Sequence, residues 1–260
     1  MRRANAFSLR DLVAVLCLTG LALPILGASV GGVISQSTAA RCRTNLAALT
    51  RAVVAYAARN RGYMPVYKHA LTYGYIAGPT QPDRTTVAFG GIRSPVTGLL
   101  DQPMNLGLLY AQGLARPPEL FYCPAPVKDV RFTLSGYPKP WGSRAGADSS
   151  LIRISYMWNP WVKILSGSGS DVQATYEDGL VLRRHPSNWP LICDLVMSMQ
   201  TLAHREGNSA FWNMAYPDGH VAPFASQEVY DVFAHGAVYR LEWGPFNSLI
   251  RPKILPPPAP

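Results

Sequence analysis

Hydrophobic and polar positions alternate in three distinct ways along the chain. From Leu12 to Ile34 there are 23 residues without a charge. A helix of ~20 apolar residues spans the hydrocarbon core of a bilayer, so this stretch predicts a membrane segment. Pro24, Gly27, Gly31 and Gly32 fall inside it, and a membrane segment tolerates such breakers better than an isolated soluble helix does. Behind it the period changes. Cys42, Leu46, Leu49, Val53 and Tyr56 recur at spacings of four, three, four and three, with Arg43, Arg51 and Arg59 on the other side. That spacing predicts an amphipathic helix over 41–61 with one buried face. Gly62 stands where a C-terminal cap belongs, and Pro65 follows as a stop.

The remainder reads as loops and then strands. Residues 62–104 are rich in Gly, Pro and Thr, with one short strand expected near Thr86–Phe89. Asn105–Ala111 predicts a short helix that Asn105 would cap. Glu119–Cys123 reads as a short strand ended by Pro124, and 135–150 as loop. Ile152, Ile154 and Tyr156 alternate with Arg153 and Ser155, the period of a half-buried strand. Gly179–Arg183 is a weaker strand, and Trp189–Val196 a largely apolar, central one. Ala210–Tyr216 and His220–Phe224 flank Pro217-Asp218-Gly219, a hairpin signal. Ser226–His235 predicts a helix with Ser226 as cap and Glu228 in its first turn. The tail RPKILPPPAP, residues 251–260, reads as extended. One long helix followed by strands predicts an α+β fold with a mainly antiparallel sheet and long loops.

Composition narrows the function. The 260 residues carry a net charge of +9, but the arginines are scattered rather than clustered, so no nucleic-acid partner is expected. GxSxG, HExxH, GxGxxG and P-loop patterns are missing, and no enzymatic activity or cofactor is expected. The four cysteines, Cys17, Cys42, Cys123 and Cys193, form no CxxC pair, which excludes a zinc ribbon. Cys42 and Cys123 are a candidate disulfide if the body lies outside the cytoplasm. The other reading is buried free thiols. His204, Asp218 and His220, with Asp194 nearby in sequence, are the best set for a metal. An Asp-Gly turn, however, uses Asp218 simply to support its backbone, so Asp218, Gly219 and His220 are read as a turn motif and no metal is expected. Asp171, Glu177 and Asp178 are the acidic group that would suit calcium, against the reading of a solvated loop. The aromatics Tyr63, Tyr67, Tyr73, Tyr75, Trp141, Trp158 and Trp161 would line a ligand surface or fill a loop-rich core.

Two charges, Arg10 and Asp11, stand at the mouth of the apolar stretch. A cleaved secretory signal or a plain anchor accounts for its apolar residues, but neither accounts for these charges. The run Ala6-Phe7-Ser8-Leu9-Arg10-Asp11-Leu12, behind a short basic leader, resembles the N-terminus of type IV prepilins and type II secretion pseudopilins. The resemblance implies peptidase cleavage between Ala6 and Phe7, and pairing of the Asp11 carboxylate with the free amine of a neighbouring subunit. Ala6 replaces the usual Gly and Asp11 the usual Glu. It further implies a leader over 1–6, the transmembrane half of one long pilin-like helix over 7–40, and a globular domain over 41–250 whose first part, 41–61, is the amphipathic half. Partners would be a prepilin peptidase, other pilin-like subunits and membrane lipid. The protein would cross a bacterial inner membrane once, with its C-terminal domain in the periplasm or an extracellular fibre.

A second resemblance covers the body. RCRTNLAALTRAVVAYAARNRGYMP at 41–65, NLGLLYAQGLARPPELFYCP at 105–124, SYMWNP at 155–160, LICDL at 191–195 and NMAYPDGHV at 213–221 look like the anchored prepilin-like proteins known for an H-X9-DG motif. Here thirteen residues, not nine, separate His204 from Asp218-Gly219. The function expected is structural: a pilin-like or pseudopilin-like subunit of a type II secretion or type IV pilus-like system. The alternatives are an anchored extracytoplasmic binding module that does not polymerise, or a secreted metal-dependent hydrolase.

Overall fold

A computed structural model of the chain describes residues 36–65, 87–93, 100–103, 105–125, 127–137, 141, 152–158, 163–166, 173–175, 181–196, 198–206, 209–235 and 250. The chain parts at Thr38 into two units, and the second, Ala39–Pro260, holds the sheets. Ala6, Phe7, Asp11, the apolar stretch 12–34, the acidic residues Asp171, Glu177 and Asp178, and the tail 251–260 lie outside the described residues.

Helix α1 covers residues 36–59. Alanine, leucine and arginine, all good helix formers, dominate it. Its stripe is buried: Cys42, Leu46, Leu49 and Val53 are each 0% exposed. Gly62 closes the end, at φ +87°, donating its N–H to the carbonyl of Ala57 at 2.8 Å. The expectation of a long helix with a transmembrane half is corrected here. Among the described residues no helix is long and apolar enough to cross a membrane. The physical reason lies in the residues of α1 itself. Arg41, Arg51 and Arg59 point to solvent from its outer face, so only one side is apolar.

Strand β1 (Val87–Arg93) lies between β2 (Leu100–Pro103) and β3 (Ile152–Arg153) in a small antiparallel sheet. Helix α2 (Gly107–Ala111) follows β2. The main sheet is built from β4 (Tyr156–Trp158), β7 (Ile192–Asp194), β9 (Ser209–Ala215) and β10 (Val221–Ala225) in the order β10-β9-β7-β4. Strand β8 (Arg205–Glu206) pairs with β9. A separate hairpin joins β5 (Lys163–Ser166) to β6 (Gln173–Thr175). Helix α3 (Gln227–Ala234) follows β10, with the Ser226 hydroxyl accepting from the N–H of Val229.

Successive side chains of a strand face opposite sides of the sheet, and the main sheet uses this to separate two cores. On one side Tyr156, Trp158, Ile192 and Ala215 pack with Leu46, Leu49 and Val53 of α1. On the other, Met157, Cys193, Met214 and Trp212 pack with Val229 and Phe233 of α3. The register fixes this division, since Met157, Cys193 and Met214 lie in one row across β4, β7 and β9.

Four local expectations are corrected. Glu119–Cys123 is not a strand: Pro118 at the first position turns Pro118–Phe121 into a 3-10 helix, and a short apolar run does not distinguish the two. Ile152–Tyr156 is not one strand. Ser155 leaves the ladder to donate its N–H to the Phe121 carbonyl at 3.1 Å and its hydroxyl to the Phe132 carbonyl at 2.6 Å. That break sends β3 to one sheet and β4 to the other. Within Gly179–Arg183, Val181 makes a single bridge to Tyr63, and Leu182–Arg184 is a 3-10 turn. Helix α2 is capped at Leu106 without a side-chain bond, while Asn105 sits in the left-handed region at φ +47°.

Leu49 is fully buried under the sheet, whereas Val54 on the same helix is 41% exposed. Leu49→Ala is expected to lower the unfolding free energy by about 2–5 kcal/mol, and Val54→Ala by no more than about 0.5 kcal/mol. Urea unfolding followed by circular dichroism checks the pair; equal losses would contradict the described face of α1.

Candidate functional site

Asp194 ends β7 in the middle of the apolar run LICDLV and is 1% exposed. A buried carboxylate needs hydrogen-bonding partners. The β7 alternation turns Cys193 to the α3 side and Asp194 to the α1 side, opposite Tyr156. From β9, Asn213 supplies two donors to Oδ2 of Asp194, its backbone N–H at 2.6 Å and its side-chain Nδ2 at 2.8 Å. From α1, the Cys42 thiol donates to Oδ1 at 3.1 Å and lies 3.3 Å from the Tyr156 hydroxyl.

Two further side chains complete the cluster. Cys123 follows the 3-10 turn Pro118–Phe121, and Asn45 of α1 fastens that turn by donating Nδ2 to the Tyr122 carbonyl at 3.1 Å. The Cys123 sulfur lies 3.4 Å from Nε2 of His204. The same Nε2 is 3.5 Å from Oδ2 of Asp194. His204 is oriented by its stack on Phe211, with ring centroids 5.1 Å apart and planes 11° from parallel. The ligand atoms of Cys42, Cys123, Asp194 and His204 all lie within 4.8 Å of one another, and all four residues are buried.

The electrostatics follow from burial and crowding. Burial chiefly, with help from Cys123 and Asp194, pushes the Cys42 thiol well up. Cys123 is pulled down to about 7; its hydrogen bond with Cys42 is the main cause, burial opposes it, and His204 adds to it. Burial works against the His204 imidazolium, but Cys123 and Asp194 together outweigh it and raise its pKa, with Arg43 opposing. Burial, then Cys42, pushes the Tyr156 phenol up.

A Cys-His-carboxylate nucleophile needs the cysteine at one ring nitrogen and the carboxylate at the other, so that the acid orients the imidazole. Here Cys123 and Asp194 approach the same nitrogen. The four groups converge on a point rather than forming a relay, and two sulfurs, one imidazole and one carboxylate are a donor set suited to a divalent metal.

Of the residues singled out from sequence, Cys42 and Cys123 come together here as free thiols. His204 and Asp194 join them. Asp218, Gly219 and His220 lie elsewhere, on the exposed turn between β9 and β10. There Asp218 Oδ1 accepts from the His220 N–H at 3.0 Å and lies 2.6 Å from its Nδ1. Gly219 supplies the positive φ of +89°, and His220 stacks on Tyr216. Of the aromatics, Trp141 and Trp158 are buried in the core and Tyr63 is exposed. The signal that sequence reasoning passed over is the single acid within LICDLV. No family model matches the chain, and no curated protein and no solved structure matches it either.

In reduced, chelator-treated protein Cys123 is expected to be alkylated before Cys42 and Cys193. Its rate should rise through a midpoint near pH 7, where the thiolate forms. Cys42 and Cys193, both pushed up by burial, should react only as the protein unfolds. Peptide mapping after timed iodoacetamide pulses reads the order, and early labelling of Cys193 would contradict it.

Proposed function

We propose that the protein is a structural, membrane-tethered subunit of the pilin-like or pseudopilin-like kind, serving a secretion or pilus-type assembly. The observation that carries this reading is the docking of α1. It immediately follows the apolar stretch 12–34 in sequence and buries Cys42, Leu46, Leu49 and Val53 against a sheet domain. A subunit that assembles through an N-terminal segment needs its body held firmly to the chain leaving that segment. Burial of four consecutive stripe positions supplies such a hold at about 1.5–3 kcal/mol for each large apolar side chain. The leader-like run Ala6-Phe7 and the carboxylate of Asp11 support the same reading from the sequence. In this proposal Asp11 meets the free amine of a neighbouring copy.

A second reading, an anchored extracytoplasmic module that does not polymerise, is favoured by Ala6 and Asp11 standing where the pilin pattern has Gly and Glu, and by the extra charge of Arg10.

N-terminal mass spectrometry of the membrane-fraction protein tests the choice. The expected mature chain starts at Phe7. Asp11→Asn should remain membrane-bound but drop out of the sedimentable, sheared fibre fraction by tenfold or more, the order expected when a buried charge loses its partner. A chain that retains Met1, with Asp11→Asn behaving as wild type, would sink the pilin-like reading and leave the anchored module.

A further inference from the structure

We propose that Cys42, Cys123, Asp194 and His204 form a closed, four-coordinate site for a soft divalent d-block ion of the zinc type, which clamps α1 to the sheet. The inference stands independently of the pilin-like reading, because it rests on the cluster alone.

Four observations carry it. The first is spacing. Tetrahedral zinc with Zn–S near 2.3 Å and Zn–N or Zn–O near 2.0–2.2 Å requires neighbouring ligand atoms to lie about 3.3–3.8 Å apart. Cys123 Sγ to His204 Nε2 at 3.4 Å and His204 Nε2 to the Asp194 carboxylate at 3.5 Å fall in that range, Cys42 Sγ to Asp194 Oδ1 at 3.1 Å lies just below it, and all four ligand atoms lie within 4.8 Å of one another. An ion at the centre needs only small adjustments of side chains that already face one another.

The second is convergence. Both Cys123 and Asp194 approach Nε2 of His204, which a proton relay does not call for and a shared cation does.

The third is outer support. Metal ligands are usually held by a second layer of hydrogen bonds. Asn213 grips Oδ2 of Asp194 with two donors and leaves Oδ1 turned to Cys42, while Phe211 holds the His204 ring by stacking.

The fourth is charge. Among the described residues Asp194 forms its only ion pair with His204, so a buried carboxylate and two thiols share one weak counter-ion. A divalent cation satisfies them far better. Binding places neutral His204, the Asp194 carboxylate and two thiolates on the ion, and the two thiol protons, together with the proton of the His204 imidazolium, go to solvent. Arg43, close enough to act electrostatically on His204, offsets part of the remaining negative charge.

All four ligands come from protein, which is the pattern of a structural rather than a catalytic zinc site. They also come from four separate segments: α1, the turn after Pro118–Phe121, β7 and the loop before β8. Metal binding is therefore coupled to the docking of α1.

The test uses the full-length chain, purified in detergent with reductant and without chelator. About one zinc per chain is expected by elemental analysis, as for a tight structural site. After stripping, cobalt(II) should restore one equivalent, with the visible bands of a tetrahedral site and the near-ultraviolet bands of thiolate coordination. Cys42→Ser, Cys123→Ser and His204→Ala should each lower metal content at least tenfold. Cys193→Ala, whose sulfur lies in the other core, should keep it. If the ligand variants fail to fold, the cobalt spectrum of the wild-type chain decides by itself. Reduced wild-type protein that takes up no zinc or cobalt, or cobalt bound without thiolate bands, overturns the proposal. So does a Cys42–Cys123 cross-linked peptide in the mass map of the protein isolated without reductant.

Discussion

The interaction on which the rest of the structure depends is the compensation of one buried carboxylate. Asp194 sits at the end of the central strand at 1% exposure, where an isolated charge would be strongly destabilising. Each group that compensates it comes from a different part of the chain. Asn213 reaches across from β9, Cys42 down from α1, and His204 in from the loop that leads to β8. Satisfying Asp194 thereby fixes the register of β7 against β9 and the rotational setting of α1 above the sheet. Removal of one partner from such a cluster exposes the others to an uncompensated charge, so its members are expected to act as a unit rather than additively.

The alternation of β7 divides labour between two neighbouring residues. Cys193 goes to the methionine and tryptophan core beneath α3, and Asp194 to the polar cluster beneath α1. One sheet thus carries an entirely apolar face and a face with a polar centre ringed by Tyr156, Trp158 and Ile192. The apolar ring lowers the local dielectric, which strengthens every interaction made inside the cluster. Burial holds Cys42 as a thiol, while the hydrogen bond from Cys42, with His204 adding to it, draws Cys123 toward thiolate against its own burial.

Much of the architecture could be read from residue spacing. The period of α1 was legible because four of its five stripe positions are fully buried. The hairpin at Pro217-Asp218-Gly219 was legible because the turn chemistry is local, and the Ser226 cap for the same reason. Whatever depended on distant partners was not. Ser155 breaks a strand because carbonyls of Phe121 and Phe132, far away in sequence, claim its N–H and hydroxyl. The cluster was half legible: Cys42 and Cys123 were paired from sequence, and His204 and Asp194 were considered together, yet the two pairs were placed in separate roles. Joining them requires the fold, since 152 positions separate Cys42 from Asp194. One local clue existed, an acid in the middle of an apolar strand, which can be buried only with partners.

The two pairs also constrain each other chemically. A bridge between Cys42 and Cys123 would remove both sulfur ligands and leave Asp194 with His204 and Asn213 alone. Coordination would hold both sulfurs as thiolates and so protect them from oxidation. In an oxidising compartment two thiols within 4.8 Å of each other are open to both fates, because neighbouring free thiols there are readily oxidised. The buried carboxylate favours coordination. A disulfide carries no charge and gives Asp194 nothing in return for the Cys42 donor it takes away, whereas a cation satisfies the acid, the imidazole and both sulfurs at once. The same choice sets how α1 is held. A bridge ties it to one neighbouring turn, while an ion ties it to that turn, to the central strand and to the loop before β8 together.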